Sequence, residues 1–176
     1  MTTTQAVFCT TASRKNAENI VERLKDEGFS GGEISVLLPD QGETLGFAHE
    51  KHTKAPEGAV AGVGTGGAVG GALGWLVGIG TLAIPGAGPF IAAGPILAAL
   101  SGAAIGGALG GITGALIGMG IPEVEAKRYE ASVREGKVLI SVHAEDPHQL
   151  QKAKEVFREN GAEDVSHSHE TAATRS

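Results

Sequence analysis

The first 38 residues show two hydrophobic periods in succession. A short apolar run over 6–10 is typical of a strand, and alternating apolar positions over 34–38 predict a second one. Between them, apolar residues recur at helical spacing over 17–24, after Ser13 as a candidate N-cap. Residues 1–38 therefore predict one β-α-β unit.

The last part of the chain repeats this plan over 122–167. Alternation over 138–142 predicts a strand, Asp146 is a candidate N-cap for the next helix, and Val165 marks a final strand. An additional helix, with Val124 and Tyr129 near its apolar side, is predicted to begin this half at Pro122. Two β-α-β halves of this length indicate an α+β protein, a ferredoxin-like split βαβ–βαβ sandwich.

A stretch of about 65 uncharged residues separates the two halves. No Asp, Glu, Lys or Arg lies between Glu57 and Glu123, and glycine recurs there at four-residue spacing. Such a ladder leaves a groove along a helix, in which a second backbone comes close. The glycines that we assign to helix packing are Gly58, Gly62, Gly66, Gly70, Gly74, Gly78, Gly94, Gly102, Gly106, Gly110, Gly114 and Gly118.

This uncharged stretch predicts a helical hairpin over 58–121. The predicted spans, about 58–82 and 95–119, are each about 25 residues, or about 37 Å of helix, against about 30 Å for the hydrocarbon core of a bilayer. The proline- and glycine-rich sequence at 85–89 predicts the turn between them. We therefore expect a glycine-zipper α-helical hairpin, inserted in the membrane, to interrupt the ferredoxin-like sandwich.

The period of the ladder also predicts self-association. A helix turns once every 3.6 residues, so a four-residue ladder drifts by about 40° per step and winds around the helix. One partner helix cannot fill such a groove, so we expect a homo-oligomer of many copies, with membrane lipid as the second partner. The alternative is a water-soluble homo-oligomer that buries the hairpin between its subunits.

Charge predicts the orientation of this hairpin. The basic residues nearest the spans are Lys51, Lys54, Lys127 and Arg128, all on the side of the two arms. The positive-inside rule then predicts that both termini are cytoplasmic, and the alternative is a soluble cytoplasmic assembly. The net charge of -6 argues against nucleic acid as a partner, because nucleic-acid binders normally present a basic face.

The remaining segments suggest no chemistry. Residues 39–57 read as a polar linker and 168–176 as a disordered tail. We identify no catalytic, cofactor-binding or metal-ligating residues, and we expect Cys9, on a predicted strand, to be a buried hydrophobe. Four histidines have no assigned role: His49, His52, His167 and His169.

Two stretches of the chain, together with the ladders, resemble a known family. They are AVFCTTASRKNAENIVERLKDEGFSGGEISVL in the first arm and GIPEVEAKRYEASVREGKVLISV at the start of the second. With these features the chain resembles the bacterial general stress (heat-induced stress) proteins with a glycine-zipper transmembrane hairpin. The resemblance implies a stress-linked protein of the bacterial inner membrane, and it brings no catalytic residues.

These features predict a non-enzymatic protein that self-assembles through glycine-zipper helices to organise or remodel membrane. Two other functions stay open from the sequence. A ring of glycine-lined helices would leave a pore, and a ferredoxin-like domain would serve as a sensor of a small ligand.

Overall fold

The computed structural model describes residues 5–40, 73, 76, 80–84, 88–103 and 111–169. Strands and helices in this part of the chain form an α+β protein, as the sequence predicts. The elements in chain order are β1 (Gln5–Thr11), α1 (Arg14–Asp26), β2 (Ile34–Pro39), β3 (Gly80–Ile84), β4 (Gly88–Ala93), α2 (Pro95–Ala103), α3 (Ile112–Gly118), α4 (Glu123–Arg134), β5 (Val138–Ala144), α5 (Pro147–Glu159) and β6 (Glu163–His169).

The described strands pair into one six-stranded sheet with the order β3-β4-β2-β5-β1-β6. Every pair of neighbours in it is antiparallel. This order differs from that of a four-stranded ferredoxin-like fold, so the predicted ferredoxin-like arrangement is not confirmed. The difference arises because β3 and β4, which come from the uncharged stretch, add to the sheet beside β2.

Helices α1 and α5 cover one face of the sheet, which we call face one. Their apolar stripes pack against the side chains of β1, β2 and β5 that alternate to this side. Both predicted N-caps are confirmed: Ser13 Oγ accepts from Asn16 N at 3.2 Å, and Asp146 Oδ1 accepts from Gln149 N at 2.8 Å. The buried helix residues are Ala17, Ile20, Val21 and Leu24 in α1, and Leu150, Ala153, Val156 and Phe157 in α5.

Helices α2, α3 and α4 cover the opposite side of the sheet, face two. Phe8 from β1 and Tyr129 from α4 pack there with their ring centroids 6.1 Å apart. Phe90 from β4 and Ile96 from α2 belong to the same buried layer. The sheet is thus buried on both sides, which explains why β2 reads as a nearly continuous apolar run.

In the described part of the uncharged stretch the predicted continuous spans are not formed, although α2 and α3 are helical as predicted. Gly80–Ile84, at the end of the first span, is a strand. The second span is divided into α2 and α3, and Gly111 before α3 has a left-handed φ of 87°, which a continuous helix does not contain. Glycine is less favourable than alanine in a helix by about 1 kcal/mol per residue, so this sequence favours short elements once a sheet is available.

The described part of the uncharged stretch is instead built into the domain. β3 and β4, which lie on either side of the predicted turn, extend the sheet beside β2. Helices α2 and α3 cover face two, and Leu73 and Leu76 are buried in the core of face one. This arrangement buries apolar side chains of the uncharged stretch against the arms. A separate hairpin would not make these contacts. Among the described residues, no helix combines the length and the apolar character needed to cross a bilayer.

Two smaller predictions near the end of the chain also need correction. β6 continues through Ser168 to His169, where a disordered tail was expected, because Ser168 is buried and pairs with Ala6 of β1. Val124 is 81% exposed instead of lying on the apolar side of α4, since the buried stripe passes through Ala126. Apart from Pro39 and Asp40, the predicted linker lies outside the described residues, as do residues 170–176.

Candidate functional site

The glycines assigned to helix packing fall into two groups. Outside the described residues lie Gly58, Gly62, Gly66, Gly70, Gly74, Gly78, Gly106 and Gly110. The other four, Gly94, Gly102, Gly114 and Gly118, lie within or directly before α2 and α3. Packing along the ladder as a whole therefore stays a prediction.

Gly94 lies at the turn from β4 to α2, against the backbone of β2. Its φ is 75°, and a Cβ there would stand 2.2 Å from the carbonyl O of Ile34. Two residues later, Ile96 N donates to Ser35 Oγ at 3.2 Å, which ties the start of α2 to β2. The close backbone approach at Gly94 is thus to a strand, not to a second helix.

Gly118 has the opposite surroundings at the end of α3. The residue is exposed, and a Cβ built on it would meet no atom within 4 Å among the described residues. Among the described residues, no backbone therefore packs closely against Gly118.

A polar cluster that the sequence analysis missed joins α4 to β6 on face two. The hydroxyl of the buried Tyr129 donates to the carbonyl O of Asp164 at 2.6 Å and shares a short hydrogen bond with Ser166 Oγ. Thr10 Oγ1 donates to Asp164 Oδ2 at 3.5 Å, and Arg128 Nη1 lies 3.9 Å from the same carboxylate. A buried tyrosine usually finds a partner for its hydroxyl, so Tyr129 in the apolar stripe of α4 was the available signal.

The geometry of Asp164 explains how its carbonyl group reaches Tyr129. Asp164 has a positive φ of 50°, and the register between β1 and β6 shifts between Phe8 and Thr10. The extra residue of such a β-bulge is left out of the ladder. The Asp164 carbonyl therefore accepts from the phenol of Tyr129 and fixes α4 to the edge of the sheet.

This cluster is suited to holding α4 in place and not to acid–base catalysis. Burial is the main cause that raises the pKa of Tyr129 to about 12, so the phenol keeps its proton at neutral pH. A general base would need a pKa near the working pH. We therefore interpret Tyr129 as a hydrogen-bond donor that joins two elements.

Cysteine and histidine side chains do not complete a reactive centre in the described part of the chain. Cys9 lies buried in the core of face one, and burial raises the pKa of its thiol well above the ordinary value, so little thiolate forms. No group of three His, Cys, Asp or Glu side chains comes together there as a metal site. His167 is exposed on β6, the backbone of His169 pairs with Gln5, and His49 and His52 lie outside the described residues.

A second polar contact holds α3 against α4. Glu130 Oε2 accepts from the backbone N of Thr113 at 3.0 Å and from its Oγ1, and Arg134 Nη2 donates to Glu130 Oε1 at 2.7 Å. Burial works to raise the pKa of Glu130, but the hydrogen bonds from Thr113 and Arg134 outweigh it, so the pKa is lowered from its ordinary value. One carboxylate therefore anchors the end of the uncharged stretch to the second arm.

The lowered pKa of Glu130 predicts a stability term that disappears in acid. A carboxyl group whose pKa is lower in the folded state stabilises the fold above its unfolded pKa, roughly 4.3 for Glu, and this contribution is lost as the pH falls through the folded pKa. Glu130→Gln should lower the free energy of unfolding by about 1 kcal/mol at pH 7, and by less at pH 3. Urea denaturation at the two pH values measures both differences.

Glu123→Gln is the matched control on the same helix. Glu123 pairs with Lys127 in solvent, so its removal should change stability little at either pH. An equal loss for both variants, or a loss at Glu130 that is independent of pH, would contradict the anchoring role of Glu130.

The chain matches no protein-family model, no curated protein and no solved structure. Neither the polar cluster nor the packing glycines are therefore linked to a known activity by similarity.

Proposed function

We propose that this chain is a non-enzymatic protein that assembles with copies of itself through the uncharged stretch 58–122. One observation carries the proposal: the stretch has no charged residue, yet its described part reaches an edge of the sheet as well as both faces. Charged residues on an edge or a surface normally oppose association between copies. A stretch of this length without any charge favours association instead.

The fold proposed for the domain is a ferredoxin-like unit extended by two strands. The strands contributed by the arms lie next to one another as β2-β5-β1-β6, and α1 and α5 pack together on face one. This is the arrangement expected of a β-α-β-β-α-β sandwich, with β3 and β4 added beside β2. In this proposal the arms form the scaffold and the uncharged stretch mediates assembly.

A role at the bacterial inner membrane under stress is the second part of the proposal. The resemblance to the general stress proteins supports it. Assembled copies would organise or reinforce the bilayer. Carbonate extraction of cell membranes tests this part separately, because a peripheral assembly is released by carbonate and an embedded one is retained.

Substitution within the ladder tests the assembly itself. Gly70→Leu fills the predicted groove, so the mass of the particles should fall by at least half in mass photometry. Ala68→Leu is the matched control, because position 68 lies midway between Gly66 and Gly70 and so faces away from the groove in a helix. Unchanged mass for Gly70→Leu would refute packing through the ladder, and a monomeric unmodified chain would refute the assembly.

A further inference from the structure

The sheet ends in two strands of different character, β6 and β3. β6 has two features that keep an edge strand from pairing with another chain. It has a bulge at Asp164, and it carries the charged residues Glu163, which pairs with Lys137, and Asp164, which pairs with Arg128. β3 has no charged residue, and among the described residues no strand pairs with its outer side. Within the described part of the chain, the outer edge of β3 therefore has unpaired backbone groups to which a strand can add.

The position of Pro89 shows which backbone groups of β3 point outward. Pro89 lies opposite Ala83 in the β3–β4 register, and its carbonyl O accepts from Asp40 N at 3.0 Å, on the β2 side of β4. The N–H and C=O groups of a residue in an antiparallel sheet point to one side, and that side alternates along the strand. Thr81 and Ala83 therefore direct both groups away from β4, whereas Leu82 directs them toward β4.

We propose that β3 pairs antiparallel with β3 of a second copy, across a two-fold axis beside Leu82. Thr81 then lies opposite Ala83 of the second copy. The outward N–H and C=O groups of both residues are all hydrogen-bonded in this register, and one continuous sheet runs through both copies. The inference rests on the proposed self-assembly, for which it names the surface.

A second copy is the occupant that the charge distribution favours. Strand addition needs an extended partner with a free edge and without charges that repel, and a second β3 meets these conditions. All the charged residues of the chain lie outside 58–122, so none of the net charge of -6 lies on this edge. Leu82 is the central residue of β3, so a two-fold axis beside it places the two strands opposite each other over their whole length.

Cysteine cross-linking of the full chain tests the register. Cα atoms in a non-hydrogen-bonded antiparallel pair are about 4.5 Å apart, within the disulfide range, so Leu82→Cys should form a covalent dimer on mild oxidation. Ile84→Cys is the matched control, because its two copies would be offset by four residues and so about 14 Å apart at about 3.4 Å per residue. We expect at least tenfold less dimer for Ile84→Cys, with the buried Cys9 present in both variants.

The mass of the unmodified chain separates failure of this inference from failure of the proposed function. An oligomer in sedimentation, combined with equal cross-linking of the two cysteine variants, would overturn the β3 pairing and leave the assembly intact. A monomer at every concentration would overturn both.

Amide hydrogen exchange gives a second test that needs no substitution. The amides of Thr81 and Ala83 should become at least tenfold better protected as the chain associates. The Leu82 amide, which points toward β4, should be protected at low concentration as well. If the protection of Thr81 and Ala83 does not depend on concentration, the pairing is excluded, even should both cysteine variants misfold.

Discussion

Replacing Gly94 with alanine is expected to lower the free energy of unfolding by about 3 kcal/mol, as the sum of two effects. The observed φ of 75° is strained for alanine by about 1–2 kcal/mol. The new Cβ would also stand 2.2 Å from the Ile34 carbonyl O, and moving β2 or α2 apart adds about 1–3 kcal/mol. Urea denaturation followed by circular dichroism measures the loss.

Gly118→Ala is the matched control, at another position of the same glycine ladder. A Cβ there meets no described atom and lies at the end of α3, so stability should stay the same or rise by up to about 1 kcal/mol. A glycine zipper along α2 and α3 would make both substitutions harmful. Equal losses at the two positions would therefore favour helix packing and contradict the strand contact at Gly94.

Phe90→Ala is expected to destabilise the domain by about 3–5 kcal/mol, the usual range for removing a buried aromatic ring. Phe90 is 1% exposed on β4, within the core of face two. The sequence-based interpretation places this residue near the turn of a separate hairpin, where its loss would leave the folded arms unaffected. Thermal and urea unfolding of the arms' far-UV signal distinguish the two expectations.

Phe157→Ala provides the reference for the Phe90 experiment. Phe157 is fully buried between α5 and the sheet on face one, so both interpretations predict a loss of about 3–5 kcal/mol for it. Similar losses for the two variants support one cooperative domain. A Phe90→Ala protein as stable as the unmodified chain would show that β4 is not a structural part of the sheet.

The arms could be predicted from sequence because their signals are local. Helical spacing and N-caps at Ser13 and Asp146 define α1 and α5, and alternating apolar positions over 34–38 and 138–142 indicate β2 and β5. Each of these signals spans fewer than about ten residues and depends on the chain's own geometry. None of them specifies which strands become neighbours, so the sheet order did not follow from them.

The prediction of a helical hairpin fails in the described part of the uncharged stretch because the composition of this stretch fits more than one structure. Short apolar runs on either side of 85–89 predict a β-hairpin as readily as a turn between helices. The long ladder of glycines favours the turn between helices. The polar cluster was hidden for another reason. Tyr129 meets Asp164 and Ser166 only through the tertiary fold, and the bulge that presents Asp164 has no signature in the local sequence.

The sheet order sets the sequence in which a growing chain can complete its core. β1 lies between β5 and β6, so among the described strands it is made before both of its neighbours and pairs with neither until β5 has been synthesised. Pairing between such distant segments is slow, and apolar strands are prone to aggregate before they have paired. We therefore expect nascent chains released before β5 to depend on chaperones, and to precipitate when those are depleted.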